Sequence, residues 1–158
     1  MKLLIKQRVF SWTASYDIYD EAENVKYYVK GDVSGYQLRV FDVNNREIGM
    51  VRRKHTLLTS QFEIEMRGRL MGTIRQEATF CKPKFDVDFN GWHVEGDFAC
   101  CDYDVLAGNS SIIHIKKEIW HWGGTYVIDF ANPADELMGL MLVIAIDATS
   151  CSAGNPCY

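Results

Sequence analysis

The sequence predicts a mainly β protein: about twelve strands closed into a barrel, in two related halves, around one buried apolar C-terminal helix. Three observations predict it. Apolar and polar residues alternate with period two along most of the 158-residue chain, the pattern of half-buried strands. Short turn signals rich in Gly and Asn separate these stretches. Near the end, "ELMGLMLVIAID" (136–147) offers only ten apolar or glycine positions between Glu136 and Asp147, whereas a helix crossing a bilayer needs about 20.

Nine stretches read as strands in chain order: KYYVKG (26–31), YQLRVFDV (36–43), EIGMVRRK (47–54), FEIEM (62–66), LMGTIRQE (70–77), FDVDF (85–89), WHVEGDF (92–98), SIIHIKK (111–117) and TYVIDF (125–130). They are rich in Val, Ile, Tyr and Phe, which suit a pleated, half-buried surface. Asn90-Gly91 is the clearest hairpin turn, because a two-residue type I′ turn needs positive φ at both central residues. Arg67-Gly68 is a weaker example, and Asn44-Asn45 and Gly108-Asn109 mark two more turns.

A faint repeat runs through these strands. VKGDV (29–33) returns as VEGDF (94–98), at an offset of 65 residues. NREIGMVRRK (45–54) parallels NSSIIHIKKE (109–118) at an offset of 64, and YDIYDE (16–21) parallels FDVDFN (85–90). Similar pieces in the same order predict a duplicated architecture.

The helix is expected over about 133–148. Asn132 is a good N-cap, Pro133 falls at the first helical position, and Asp135 and Glu136 occupy the first turn. A helix that is apolar on every side must be surrounded. A twelve-stranded barrel encloses a wide interior and also removes exposed sheet edges. The helix is therefore assigned to that interior, and residues 1–149 to a single domain followed by a polar, cysteine-containing tail (150–158).

Composition narrows the class. Hydrophobic residues make up 47% and charged residues 24%, with a net charge of −4; this suits a soluble globular domain and argues against a general nucleic-acid binder, which needs a basic surface. The five cysteines, Cys81, Cys100, Cys101, Cys151 and Cys157, form no regular disulfide framework. The opening MKLLIKQRVF is too interrupted by Lys6 and Arg8 for a secretory signal. A reducing, cytoplasmic setting with free thiols is expected.

The chain resembles the LURP-one-related proteins, of the tubby C-terminal-like superfamily, over residues 1–149. The resemblance rests on QRVFSWTASYDIYDE (7–21), YVKGD (28–32), LRVFDVNNREIGMVRRK (38–54) and YVIDFANPADELMGLMLVIAIDA (126–148). It implies a twelve-stranded barrel around a buried C-terminal helix. The end segment is also similar to phospholipid scramblases of the same superfamily. Tubby domains bind phosphoinositides and scramblases act at membranes, but no tubby phosphoinositide motif is present here. DFANPADE (129–136) supplies Asp129, Asn132, Asp135 and Glu136, yet lacks the alternating ligands and central glycine of a calcium loop, so capping is expected.

No P-loop, nucleophile elbow or dinucleotide fingerprint appears. His55, His93, His114 and His121 share no zinc spacing with one another or with cysteine, and neither metal nor cofactor is expected. Asp17/Asp20, Asp86/Asp88 and Asp102/Asp104 suit solvated strand faces better than acid–base pairs. Trp120, His121, Trp122 and Tyr126 suit a plug at a barrel end. The basic run Arg52-Arg53-Lys54, echoed by Lys116-Lys117, is the sharpest functional hint. Such a patch attracts anionic lipid headgroups or phosphate, although it also serves edge protection and solubility. The expected function is a non-enzymatic cytoplasmic binding domain that recognises such a ligand peripherally at a membrane or in solution. The alternatives are a protein-interaction scaffold and an enzyme using strand-end carboxylates or histidines.

Overall fold

In chain order the strands are β1 (Lys2–Ile5), β2 (Ser15–Tyr19), β3 (Val25–Gly31), β4 (Gln37–Asp42), β5 (Glu47–His55), β6 (Ser60–Met66), β7 (Arg69–Glu77), β8 (Lys84–Val87), β9 (Trp92–Asp97), β10 (Asp102–Ala107), β11 (Ser110–Glu118) and β12 (Thr125–Phe130). A computed structural model describes residues 1–6, 12–55, 59–77, 83–118 and 125–150. All neighbouring strands are antiparallel, in the order β8-β7-β6-β5-β4-β3-β2-β1-β12-β11-β10-β9. The result is a nearly closed barrel. All nine stretches outlined from the sequence coincide with strands; β1, β2 and β10 complete the twelve.

Alternation places one set of side chains inside. Leu38 and Val40 of β4, Phe62 and Ile64 of β6, and Ile113 and Ile115 of β11 are fully buried, while their neighbours along each strand face solvent. The chain then turns at Asn132, whose side chain accepts a hydrogen bond from the Ala134 amide at 3.0 Å. The cap is as expected, but the first turn, Pro133–Asp135, is 3₁₀, and the α-helix α1 runs from Glu136 to Ser150. Every residue from Met138 to Ala148 is buried. Each large aliphatic side chain removed from water there contributes roughly 1.5–3 kcal/mol. Among the described residues no helix is long and apolar enough to cross a membrane.

Asp147 departs from expectation. It marked the polar boundary of the apolar run, yet it is fully buried within the barrel. Tyr103 of β10 donates a hydrogen bond to its carboxylate at 2.7 Å. At the other helix end, Glu136 accepts from Lys26 Nζ at 2.8 Å and, through a very short bond, from the Tyr27 hydroxyl. These contacts fix the helix entry against β3.

Strands β4–β6 and β10–β12 match ladder by ladder, six strands apart. Leu38 faces Val51 between β4 and β5, and Tyr103 faces Ile115 between β10 and β11. Arg53 faces Phe62, and Lys117 faces Tyr126. Even the β-bulge repeats: the register slips between Val40 and Phe41 and again between Val105 and Leu106. A bulge inserts one unpaired residue, so its recurrence at an offset of 65 residues is strong support for the repeat.

One expected hairpin is corrected. Asn90 and Gly91 take the positive φ values, 56° and 64°, that the turn requires. The strands beyond it, β8 and β9, nevertheless form no ladder. Among the described residues they leave a seam in the barrel wall. A second correction concerns the cysteines: Cys100 and Cys101, expected as free thiols, are disulfide-bonded. Cys81, Cys151, Cys157 and the Trp120-His121-Trp122 cluster lie outside the described residues, as does nearly all of the tail.

Candidate functional site

Strand alternation divides the basic run of β5. Val51 points inward and is fully buried, so Arg53 follows it at the barrel rim, whereas Arg52 and Lys54 point outward. Outside, β6 neutralises the pair. Arg52 lies 2.8 Å from Glu65 and 3.8 Å from Glu63, and Lys54 lies 2.5 Å from Glu63. Arg52 and Glu63 sit directly opposite in the ladder, where opposite charges stabilise.

Arg53 has different company. Its guanidinium lies 5.1 Å from the Trp12 ring and 5.6 Å from Tyr36. Trp12 in turn stacks on Phe62 at 5.4 Å. The Arg53 amide donates to the Tyr36 carbonyl at 2.7 Å, and its buried Nε has no hydrogen-bond partner. Among the described residues no carboxylate forms an ion pair with it. Aromatic faces hold a cation by their quadrupole without cancelling its charge.

Lys116 and Lys117 occupy the positions in β11 equivalent to Arg52 and Arg53. Both are exposed. Lys117 reaches over the Tyr126 ring at 5.8 Å, so the aromatic backing of Arg53 recurs. The acids do not recur: Lys116 faces Val127, where Arg52 faces Glu63. Among the described residues neither lysine forms an ion pair. β5 and β11 are six strands apart and run in the same direction. The structure therefore does not gather the five basic residues into one patch. It sets two groups on opposite walls at the same barrel end, one largely neutralised and one not.

Asp86 is exposed opposite Arg75 of β7, and Asp102 is exposed opposite Asp97 of β9. Asp104 does join a small cluster that sequence spacing concealed, because its partners come from the next strand: Ser111 Oγ donates to it at 2.6 Å and His114 Nδ1 lies at 3.0 Å. Both contacts end on the same carboxylate oxygen. A hydrolytic triad needs the serine bonded to the imidazole, so this arrangement is a surface hydrogen-bond cluster and not an activated nucleophile. Among the described residues no three His, Cys, Asp or Glu side chains converge as metal ligands.

Inside the barrel, burial pushes the Asp147 carboxyl up to about 7, against the smaller opposing effect of the Tyr103 hydrogen bond. Burial and the facing Asp147 charge raise the hydroxyl of Tyr16 well above its ordinary value. This group is enclosed, with helix and walls packed around it, and it supports the core.

Comparison with known proteins agrees with this architecture. An X-ray structure of the Arabidopsis thaliana protein AT5G01750 superposes with a TM-score of 0.61 at 16% identity, covering 94% of this chain and 90% of that one; at that identity the likeness concerns the fold. A protein of Bacillus subtilis (strain 168), described as "Uncharacterized protein YxjI", is 26% identical over 149 residues, spanning 93% of this chain and 92% of its own. The LURP-one-related family model matches residues 1–147. That match spans nearly the whole chain, so the chain belongs to the LURP-one-related family.

Proposed function

We propose that this barrel is a non-enzymatic binding domain that recognises a phosphate-bearing anionic ligand peripherally, at one end of the barrel. The observation that supports this reading is the pair Lys116 and Lys117, exposed and, among the described residues, without the acidic partners that quench Arg52 and Lys54. Arg53, backed by Trp12 and Tyr36, is a second contributor on the opposite rim. Arg52 and Lys54 contribute less, since each must leave a carboxylate to meet the ligand. The interaction is by charge, not insertion, and the setting is the cytoplasmic face of a membrane or the cytoplasm itself.

Co-sedimentation with vesicles of phosphatidylcholine alone, or containing phosphatidylserine, tests this at low and high salt. Basic residues near an anionic surface contribute on the order of 1 kcal/mol each, so Lys116→Glu/Lys117→Glu reduces binding at least tenfold, well beyond Arg52→Glu/Lys54→Glu. One molar salt, with a screening length of about 3 Å, releases the protein. Inorganic phosphate that competes equally well identifies a free phosphate ligand in place of a lipid surface. Equal binding to neutral vesicles, or indifference to both charge reversals, overturns the reading.

A further inference from the structure

The seam between β8 and β9 is where the two halves part company. In the first half the corresponding strands, β2 and β3, are zipped from Ser15↔Lys30 to Tyr19↔Val25. The β9 edge therefore descends from a position that, in its twin, carries a hydrogen-bonded strand. Among the described residues no ladder reaches it: β9 pairs with β10, and β8 with β7. Antiparallel pairing uses only every second residue's N–H and C=O on one side, so both strands present unpaired backbone groups to the gap.

The gap is a cleft of about 410 Å³. Its floor is apolar: Phe85 of β8 and Phe98 meet edge to face at 5.1 Å, and Val94 of β9 lies alongside. Its rim carries the carboxylates Glu77, Asp86 and Glu95 against one cation, Lys84. At Gly96 the backbone is exposed and bare, with φ of 138°; a Cβ there would fall 2.5 Å from Tyr103 Cα. No side chain shields the edge at that residue.

We propose that this seam is a strand-acceptor site for an extended segment of a partner protein in which basic and apolar residues alternate. Its backbone supplies the ladder that β9 lacks, its apolar side chains cover the Phe85–Phe98 floor, and its basic side chains meet the acidic rim. Strand addition of this kind draws affinity from main-chain bonds and specificity from alternate side chains. The acids also repel a second copy of this same edge, which is how edge strands resist self-association.

The test uses an end-capped heptapeptide of alternating lysine and valine, followed by amide shifts and hydrogen exchange of the intact chain. Slowed exchange confined to β8 and β9 is the expected result. A peptide with proline in place of its central valine loses most of this protection, because it lacks a ladder donor. Asp86→Lys/Glu95→Lys, both exposed and checked for an unchanged melting temperature, weakens binding at least tenfold. No protection at millimolar peptide, protection elsewhere in the barrel, or equal binding of the proline peptide each overturns the proposal. None of these outcomes bears on Lys116 and Lys117, which lie on β11.

Discussion

The β4–β5 hairpin of the first half and the β10–β11 hairpin of the second share strand lengths, register and a bulge, yet the two halves meet the same helix by opposite means. On β5, Gly49 leaves room for the helix: a Cβ there would fall 2.5 Å from Met141 Sδ. At the equivalent position on β11 stands Ile113, and here the helix gives way instead, with Gly139 admitting the Ile113 side chain; a Cβ on Gly139 would fall 2.4 Å from Ile113 Cδ1 and 2.8 Å from Phe130 Cε1. Leu38 on β4 is apolar, whereas its counterpart on β10, Tyr103, carries the hydroxyl that serves Asp147. A shell with two-fold repetition surrounds one helix that has no such symmetry, so the inward faces must diverge even where the backbones agree.

The most damaging way to break this arrangement is to charge the element both halves share. Leu142 is fully buried. Leu142→Asp places a carboxylate without a designed partner in the core, at a cost of several kcal/mol. That approaches the whole stability of a typical domain, about 5–15 kcal/mol. The variant is insoluble or unfolded by circular dichroism; a soluble variant with wild-type melting refutes the enclosed helix.

Next in size is the charge the core already holds. Burial raises Asp147 from the ordinary carboxylate value to about 7, so the folded state prefers the proton. Its favourable contribution is complete below about pH 4 and is lost as pH rises through about 7. At roughly 1.4 kcal/mol per tenfold change in proton affinity, the loss approaches 4 kcal/mol. Thermal melting between pH 5 and 8 therefore shows falling stability, and Asp147→Asn flattens that slope. Tyr103→Phe steepens it by removing the donor to the charged form, while Leu38→Phe, at the equivalent position in the other half, leaves the slope unchanged. A wild-type slope in Asp147→Asn refutes the assignment.

The smallest effect sharpens the comparison most. Gly139→Ala improves helix propensity by about 1 kcal/mol, but crowds Ile113 and Phe130, and overpacking of this kind costs typically 1–3 kcal/mol. The net result by chemical denaturation is a modest destabilisation. Ile113→Val relieves much of it in the double variant, giving a measurable coupling between two residues in contact. Strict additivity rules out the proposed exchange of space between helix and wall.

Much of this was legible in the sequence, because alternation and caps are local. The nine outlined strands, the Asn132 cap and the paired segments at offsets of 64 and 65 residues follow from residue order alone. The missing pieces depend on partners far along the chain. The Asn90-Gly91 turn formed, but whether its flanking strands zip depends on the whole circumference. Asp147 read as a boundary because its donor, Tyr103, is 44 residues away. The basic run read as one patch because sequence does not show that Glu63 and Glu65 lie across from Arg52 while Val127 lies across from Lys116.

Chain order gives the enclosed helix a consequence in time. It follows all twelve strands, and the ladder that joins the first strand to the last pairs Lys2 with Asp129. Until both are in place the inner walls have nothing to enclose and β1 lacks one neighbour. Contacts so distant along a chain form slowly because loop closure must precede them, and partly assembled sheets with open edges are prone to aggregate. During synthesis the strands emerge first and wait for their core, so any shortening of α1 leaves a shell that collapses or is captured before it can close.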